Sequence, residues 1–146
     1  MTSSPLPTRG QLERSLSQKV LALYRSSLGH QPSKVQCYIS DGKVMIILED
    51  SITKPEQVLV ERGQEDLAEK VHDDLDEALC PELKALIEEI VGVPVIDVLS
   101  DAKFDTGRTG TIAVLEDAPQ VRDSQPQRRS SKEVENTADG AEDADE

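Results

Sequence analysis

Five acidic side chains form the most concentrated group of potentially functional residues in this sequence. They recur at nearly helical steps, so a helix places them on one side: Asp66, Glu69, Asp73, Asp76 and Glu77. Lys70 is the only basic residue within the run, so repulsion among the carboxylates is not relieved locally. A charged helix face is most often simply solvated, but an uncompensated row also attracts a basic partner. We take these five residues as the candidate partner-binding surface.

The two histidines, His30 and His72, supply only part of a metal site. A helix brings residues four apart onto one face, so the ligand that can join His72 is Asp76 rather than Asp73. One imidazole and one carboxylate are at most half of the ligand set that a zinc ion needs. The sequence therefore predicts no metal and no other cofactor.

Asp97, Asp101 and Asp105 are the remaining candidates for catalytic carboxylates. Asp97 and Asp101 are an even number of residues apart, so one face of a strand presents both. No nucleophile, base or oxyanion donor is identifiable beside them, and roles in turns and strand ends explain them better. The sequence predicts that the protein is not an enzyme.

The segment from Gly107 to Gly110 has the Gly-x-x-Gly spacing of the loop that clamps RNA in KH domains. That loop joins two helices, whereas this one lies between two predicted strands. The chain of 146 residues also carries a net charge of -13, which repels phosphate backbones. We interpret the segment as a glycine-rich hairpin turn and expect no nucleic-acid partner.

Nothing in the sequence predicts insertion into a membrane. The longest purely apolar run, Val44 to Leu48, is far too short to cross a bilayer. The first ten residues lack the apolar centre of a signal peptide. Cys37 and Cys80 are lone cysteines that fit a reducing compartment as plain thiols. These features predict a cytoplasmic protein.

Composition divides the chain into a flexible lead, a folded domain and a tail. The lead covers residues 1–9 and the domain residues 10–117. The tail, residues 118–146, has almost no apolar side chains to bury, so it is predicted to be disordered and acidic. Within the domain, apolar periodicity predicts a first helix that ends at Gly29, a short helix from Thr53 to Gly63 and a long helix that carries Leu67 to Ile90. It also predicts strands over 34–40, 43–49, 93–99 and 111–116.

Local signals fix several boundaries of these elements. Asp41-Gly42 predicts a two-residue hairpin turn with positive backbone dihedrals. The run from Thr53 to Glu56 predicts a capping box at the start of a helix. Pro81 predicts a kink in the long helix or its division in two, and Gly92 a left-handed end. The apolar stripe of the long helix is predicted from Leu67, Val71, Leu75, Leu79, Leu83, Leu86, Ile87 and Ile90.

The predicted order α-β-β-α-α-β-β indicates a two-layer α+β domain. Two hairpins form a mixed or antiparallel sheet with amphipathic helices on one face, or alternatively they pair across a dimer interface. The strand from Val44 to Leu48 is apolar on both faces, which favours an interior strand or one whose second face is covered. We therefore expect a homo-oligomer whose interface contains Met45 and Ile47.

Over about residues 10–116 the order of local features resembles that of the MpsC-like family. The features are the opening amphipathic helix, Gly29-x-x-Pro32, the Asp-Gly hairpin before an apolar strand, the segment 52–59 with Ile-Thr-Lys-Pro-Glu-Gln-Val-Leu, and the segment from Pro81 to Asp101. The chain departs from the family pattern in having His30-Gln31 where Gly-x-Gly-Pro is common, and His72 where an Arg is frequent.

The resemblance implies a small cytoplasmic domain, linked in some cases with cation or inorganic-carbon transport, and it implies no catalytic residues. Three hypotheses follow. The first is a non-catalytic interaction module that docks on a membrane transport subunit or another basic-surfaced protein. The second is a regulator that senses a small molecule or ion in a cleft between sheet and helices. The third and weakest is a hydrolase or transferase.

Overall fold

The computed structural model describes residues 5–122, which belong to two units. One unit is Gly10–Gln120. The other contains residues 5–9 together with Val121 and Arg122, and in it the Arg122 amide donates a 2.7 Å hydrogen bond to the Pro7 carbonyl. The predicted disordered tail falls outside the described residues from position 123 onward.

Three helices and four strands form within residues 5–122, in the predicted order. They are α1 (Arg9–Leu28), β1 (Lys34–Ser40), β2 (Lys43–Glu49), α2 (Lys54–Glu61), α3 (Glu65–Val91), β3 (Val95–Lys103) and β4 (Arg108–Leu115). The sheet is antiparallel throughout, with strand order β1-β2-β4-β3. The two hairpins therefore pair with each other inside one chain, through β2 and β4, and the predicted α+β class is confirmed.

The second hairpin is longer than its sequence suggests. We expected β3 to end at Leu99 and β4 to begin at Thr111, but both strands continue to a short turn at 104–107. Gly110, predicted to be a turn residue, lies inside β4 opposite Asp101. It lies under Ile47, whose Cδ1 is 3.7 Å from the position a Cβ would take there. One face of the sheet remains open to solvent and accepts polar side chains. The strands can therefore continue through polar residues.

The helices cover one face of the sheet. The buried residues alternate along the strands, as in Val44, Ile46 and Leu48 of β2, and α1 buries Leu16 and Val20. Helix α1 is joined to β1 by a 2.9 Å hydrogen bond from the Ile39 amide to Glu13. β2 occupies an interior position, as its two apolar faces predicted. In the first hairpin turn Asp41 has a positive φ of 52°, but Gly42 does not, so only half of the predicted turn geometry is present.

Helix α3 runs unbroken from Glu65 to Val91 with Pro81 inside it. It is therefore not divided in two, and Pro81 lies on its exposed side. Gly92 ends the helix in the predicted left-handed conformation, with φ of 78°. The predicted apolar stripe is wrong in the first half of the helix, where the buried residues are Ala68 and His72 and Leu67 is 45% exposed. The cause is α2, which packs on α3 and brings a buried carboxylate against His72.

Candidate functional site

A groove of about 610 Å³ lies between α1, α3 and the β3–β4 side of the sheet. Away from the acidic side, its lining combines apolar residues, namely Leu23 from α1, Leu79 and Leu83 from α3 and Val98 from β3, with the buried Tyr24 and Thr111. Its α3 side carries six carboxylates: Asp66, Glu69, Asp73, Asp74, Asp76 and Glu77. The groove therefore combines an apolar base with a strongly negative edge.

All five residues of the predicted acidic row line this groove. Lys70 also lines it, but its ammonium group lies 3.3 Å from Asp74, which is not a member of the row. Among residues 5–122, no Lys or Arg is within ion-pair distance of the row itself. Within this part of the chain, four carboxylates of the row face the groove without a Lys or Arg partner, whereas Asp76 lies 3.5 Å from a ring nitrogen of His72.

Asp76 differs from the other four carboxylates because it is half-buried and already has partners. Its Oδ2 accepts a 3.1 Å hydrogen bond from the Ser100 hydroxyl of β3. Ser100 Oγ in turn lies 3.0 Å from the Thr111 hydroxyl of β4. Burial raises the pKa of Asp76 above its usual value, and the neighbouring Asp73 and Glu56 add to this rise. Asp76 therefore links the groove to the interior of the domain.

The interior partner of Asp76 is a buried pair formed by His72 and Glu56. His72 Nδ1 is 2.8 Å from Glu56 Oε1, and because a carboxylate only accepts, the ring nitrogen must donate. The opposite ring nitrogen, Nε2, is 3.5 Å from Asp76 Oδ2 and has no hydrogen-bond partner within the described part of the chain. Phe104 closes the site, with its ring centre 5.8 Å from that of His72.

Glu56 is held from the other side by the start of its own helix. Both the amide and the hydroxyl of Thr53 donate to Glu56 Oε2, at 3.2 and 2.6 Å. The predicted capping box is therefore present, with its glutamate 1% exposed rather than on the surface. The sequence indicated the local role of Glu56 but not its burial, because its partner is 16 residues away and meets it only when α2 folds against α3.

The pKa values of the pair shift in opposite directions. The hydrogen bond to Glu56 raises the pKa of His72 above its usual range, against the effect of burial, and the charges of Asp76, Glu56 and Asp73 raise it further. Burial alone would raise the pKa of Glu56, but the hydrogen bonds from His72 and Thr53 outweigh it and lower that pKa. These shifts favour the protonated form of the His72 ring, which lies between Glu56 and Asp76.

Residues 8–117 match the protein family described as "Na+-translocating membrane potential-generating system (MpsC)", well over half of the chain. The chain belongs to the MpsC family. No curated protein and no solved structure matches it at a significant level. The description of the MpsC family connects it with a system that moves Na+ and generates a membrane potential. None of the helices formed by residues 5–122 combines the length and apolar character needed to span a bilayer.

Of the candidate metal ligands of this MpsC-family chain, His72 and Asp76 lie together, but His30 bonds elsewhere. His30 Nε2 lies 2.6 Å from the carbonyl of Asp50, at the end of the first hairpin. Within the described residues, no three His, Cys, Asp or Glu side chains are arranged to hold a metal ion. Burial raises the pKa of the Cys37 thiol to about 11, which keeps it protonated and unreactive.

The other sequence candidates lie on or beside the open face of the MpsC-family sheet. Asp97 and Asp101 share that face, as their even spacing predicted. The predicted oligomer residues also lie there: Met45 is 43% exposed, whereas Ile47 is half-buried over Gly110. Of the predicted Gly107–Gly110 turn, only Gly107 is in the turn, with φ of 73°.

Proposed function

We propose that this MpsC-family domain is a non-catalytic docking module that binds a basic, amphipathic segment of a partner protein in its acidic groove. The partner belongs to a membrane cation-transport system of the kind in the family's description. The observation that carries the proposal is the groove itself, where a row of carboxylates with no Lys or Arg partner among residues 5–122 borders apolar side chains.

Charge selects the kind of partner. The row presents Asp66, Glu69, Asp73 and Glu77 as exposed carboxylates along one side of α3. A segment with Lys or Arg is steered to such a surface and loses affinity as salt screens the attraction beyond about 10 Å at 0.1 M. Phosphate-bearing partners are repelled by the same field.

The apolar base selects an amphipathic segment rather than a merely basic one. Leu23, Leu79, Leu83 and Val98 offer contacts for side chains spaced along one face of a helix. A cytoplasmic end of a transmembrane helix, or an interfacial helix, combines such apolar anchors with flanking basic residues. This chemistry agrees with a partner in a membrane transport system.

The polar network beside the groove supports a binding role rather than catalysis. A nucleophilic serine needs a base in contact with its hydroxyl. Ser100 instead donates to Asp76, which separates it from His72. The His72 ring also has its Nδ1 bonded to Glu56 and its Nε2 directed at Asp76, so neither nitrogen contacts the Ser100 hydroxyl. These groups stabilise and shape the groove wall.

A second candidate function is the sensing of a small cationic ligand. The groove volume of about 610 Å³ falls in the range of small-molecule sites. Asp76 would then transmit binding to the interior, because a bound cation favours its ionised form and so alters its interaction with His72. This candidate requires no partner protein.

The proposal is tested with Glu69→Lys and Glu77→Lys together. Both residues are exposed, and both substitutions exchange good helix formers, so the fold should persist. The control is Glu89→Lys with Glu116→Lys, which changes charge equally at exposed positions outside the groove. Asp76 is unsuitable because its reversal would also break the Ser100 contact.

The probe is a synthetic amphipathic helix of Leu and Lys, compared with a sequence-matched Leu and Glu peptide, with affinity followed by fluorescence anisotropy. We expect the groove variant to bind the basic peptide at least about tenfold more weakly than the control variant does, as loss of several charge contacts implies. Equal binding by the two variants would contradict the proposal. Binding of small cationic metabolites, but not of the peptide, would favour the second candidate.

A further inference from the structure

The open face of the sheet carries an apolar row that crosses all four strands. The pairing register places Tyr38, Met45, Ile112 and Leu99 side by side, in the order β1, β2, β4, β3. Each of these side chains is between 42% and 54% exposed. At about 4.8 Å per strand the row extends roughly 14 Å between its outer backbones. A continuous row of this kind marks an interaction surface rather than scattered exposure.

Charged residues flank the row and do not interrupt it. Glu49 of β2 and Arg108 of β4 form an ion pair at 2.9 Å on one side of it. Between that pair and the apolar row, Ile47 packs over Gly110. The surface is therefore a hydrophobic band with a polar border, which is the usual anatomy of a protein interface.

We propose that a second copy of this chain covers the open face, with the two-fold axis parallel to the strands and between β2 and β4. Such an axis places β1 opposite β3 of the other copy, and β2 opposite β4. Tyr38 then meets Leu99, Met45 meets Ile112, and Ile47 lies opposite Gly110 of the other copy, beside the Ile47 side chain that already packs over that glycine. Glu49 comes opposite Arg108, so that charges of opposite sign face each other, and Lys34 comes opposite Lys103 at the corners of the face.

The other simple two-fold axis is less favourable. An axis along the apolar row would bring each strand over itself and place Asp97 opposite Asp101 of the other copy, because these residues lie on either side of Leu99. Like charges facing each other across an interface are destabilising. The axis parallel to the strands brings together only Lys34 and Lys103 as like charges, at the solvent-exposed corners of the face, and the opposition of Glu49 and Arg108 offsets them. That axis is therefore the more favourable of the two.

The size of the face limits the strength of this dimer. Four strands of seven residues measure roughly 19 by 23 Å, since strands lie about 4.8 Å apart and rise about 3.3 Å per residue. The resulting flat area of roughly 440 Å² per copy is smaller than the roughly 800 Å² per partner of a standard interface. We expect reversible association at micromolar concentrations. The helices lie on the opposite face, so the dimer carries its two acidic grooves outward, on its two outer surfaces.

Sedimentation velocity over a concentration series tests the association. Wild-type protein should shift from monomer to dimer, and Met45→Lys and Ile112→Lys should each raise the dimer Kd by about tenfold or more, because each places an unpaired charge in an apolar contact. Val58→Lys is the matched control, since Val58 is an exposed apolar residue of α2, and it should not alter the Kd. Circular dichroism verifies the fold of each variant.

Cross-linking tests the axis. In a Cys80→Ser background, Tyr38→Cys protein and Leu99→Cys protein are mixed and treated with a short bifunctional thiol reagent. Only the mixture should give a covalent dimer, because positions 38 and 99 of one chain lie on opposite edges of the sheet. A monomer at every concentration, or a dimer that survives both lysine substitutions, would overturn the proposal. Cross-linking of either protein alone would refute this axis.

Discussion

The buried pair of His72 and Glu56 is the least expected feature at the scale of single residues. Sequence reasoning identified the correct α3 neighbour of His72, since Asp76 lies 3.5 Å from its ring. It did not find Glu56, because helical spacing relates residues of one helix only, and Glu56 belongs to another. A histidine between flanking carboxylates on an otherwise apolar face was the available signal for a buried acid on the facing element.

The pair makes stability depend on pH. The carboxylates Glu56 from α2 and Asp73 and Asp76 from α3 face the His72 ring, and Tyr24 of α1 lies near these carboxylates. The pKa of His72 is higher in the folded state than its ordinary value of 6.5. Its contribution to the free energy of unfolding is therefore complete below pH 6.5 and is lost as pH rises through the folded pKa. Chemical denaturation at a series of pH values should show this fall.

The loss of stability at low pH has a different origin. The pKa of Glu56 is lower in the folded state, so its contribution is lost as pH falls through that folded value. His72→Gln should remove the fall above pH 6.5 and cost roughly 3–5 kcal/mol, because it leaves Glu56 buried without its cation. His30→Gln is the matched histidine control and should keep the fall. An unchanged pH profile in His72→Gln would show that the pair does not govern it.

At the scale of elements, local signals predicted the helices and the first hairpin well. The strands over 34–40 and 43–49 and the left-handed end at Gly92 were all found where the sequence placed them. The second hairpin was misjudged because Gly110 suggested a turn, whereas it is a strand residue beneath Ile47. The contact that explains Gly110 joins two different hairpins, so local sequence does not reveal it.

Pro81 is the element-scale feature with the clearest consequence for stability. It lies on the exposed side of an unbroken α3 and lacks the amide that would bond to the carbonyl of Glu77. Pro81→Ala should restore that bond and raise the free energy of unfolding by about 1–3 kcal/mol, as measured by urea denaturation. Glu89→Ala, on an exposed position of the same helix, should have little effect. A loss of stability in Pro81→Ala would mean that both halves of α3 pack only when the helix is bent there.

At the scale of the whole molecule, patterning predicted the two layers but not the strand order. The apolar faces of β2 indicated an interior strand, and β2 is interior. Its pairing with β4 joins residues more than 60 positions apart, such as Met45 with Ile112, and no local signal specifies it. The groove was equally unpredictable, because its lining comes from α1, α3, β3 and β4 together. The acidic row was visible in the sequence, whereas the apolar base beside it was not.

The row also predicts how the whole domain responds to salt. Four like-charge pairs at helical spacing occur within it, such as Glu69 with Asp73 and Asp73 with Glu77, and each costs roughly 0.2–0.5 kcal/mol. Added NaCl should therefore raise the melting temperature of the wild-type protein, whose net charge is -13. Glu69→Lys with Glu77→Lys turns three of these repulsions into attractions. At low salt this variant should melt higher than wild type, and its melting temperature should rise less with NaCl.

The double variant Glu89→Lys with Glu116→Lys distinguishes the effect of the acidic row on the salt response from the effect of net charge alone. These substitutions reduce the net charge by the same amount, but neither residue has a like-charged neighbour at helical spacing within α3. We expect this control to keep most of the wild-type salt response in differential scanning calorimetry. Equal responses from the two double variants would assign the effect to overall charge. The groove would then lack the concentrated negative field that a basic partner requires.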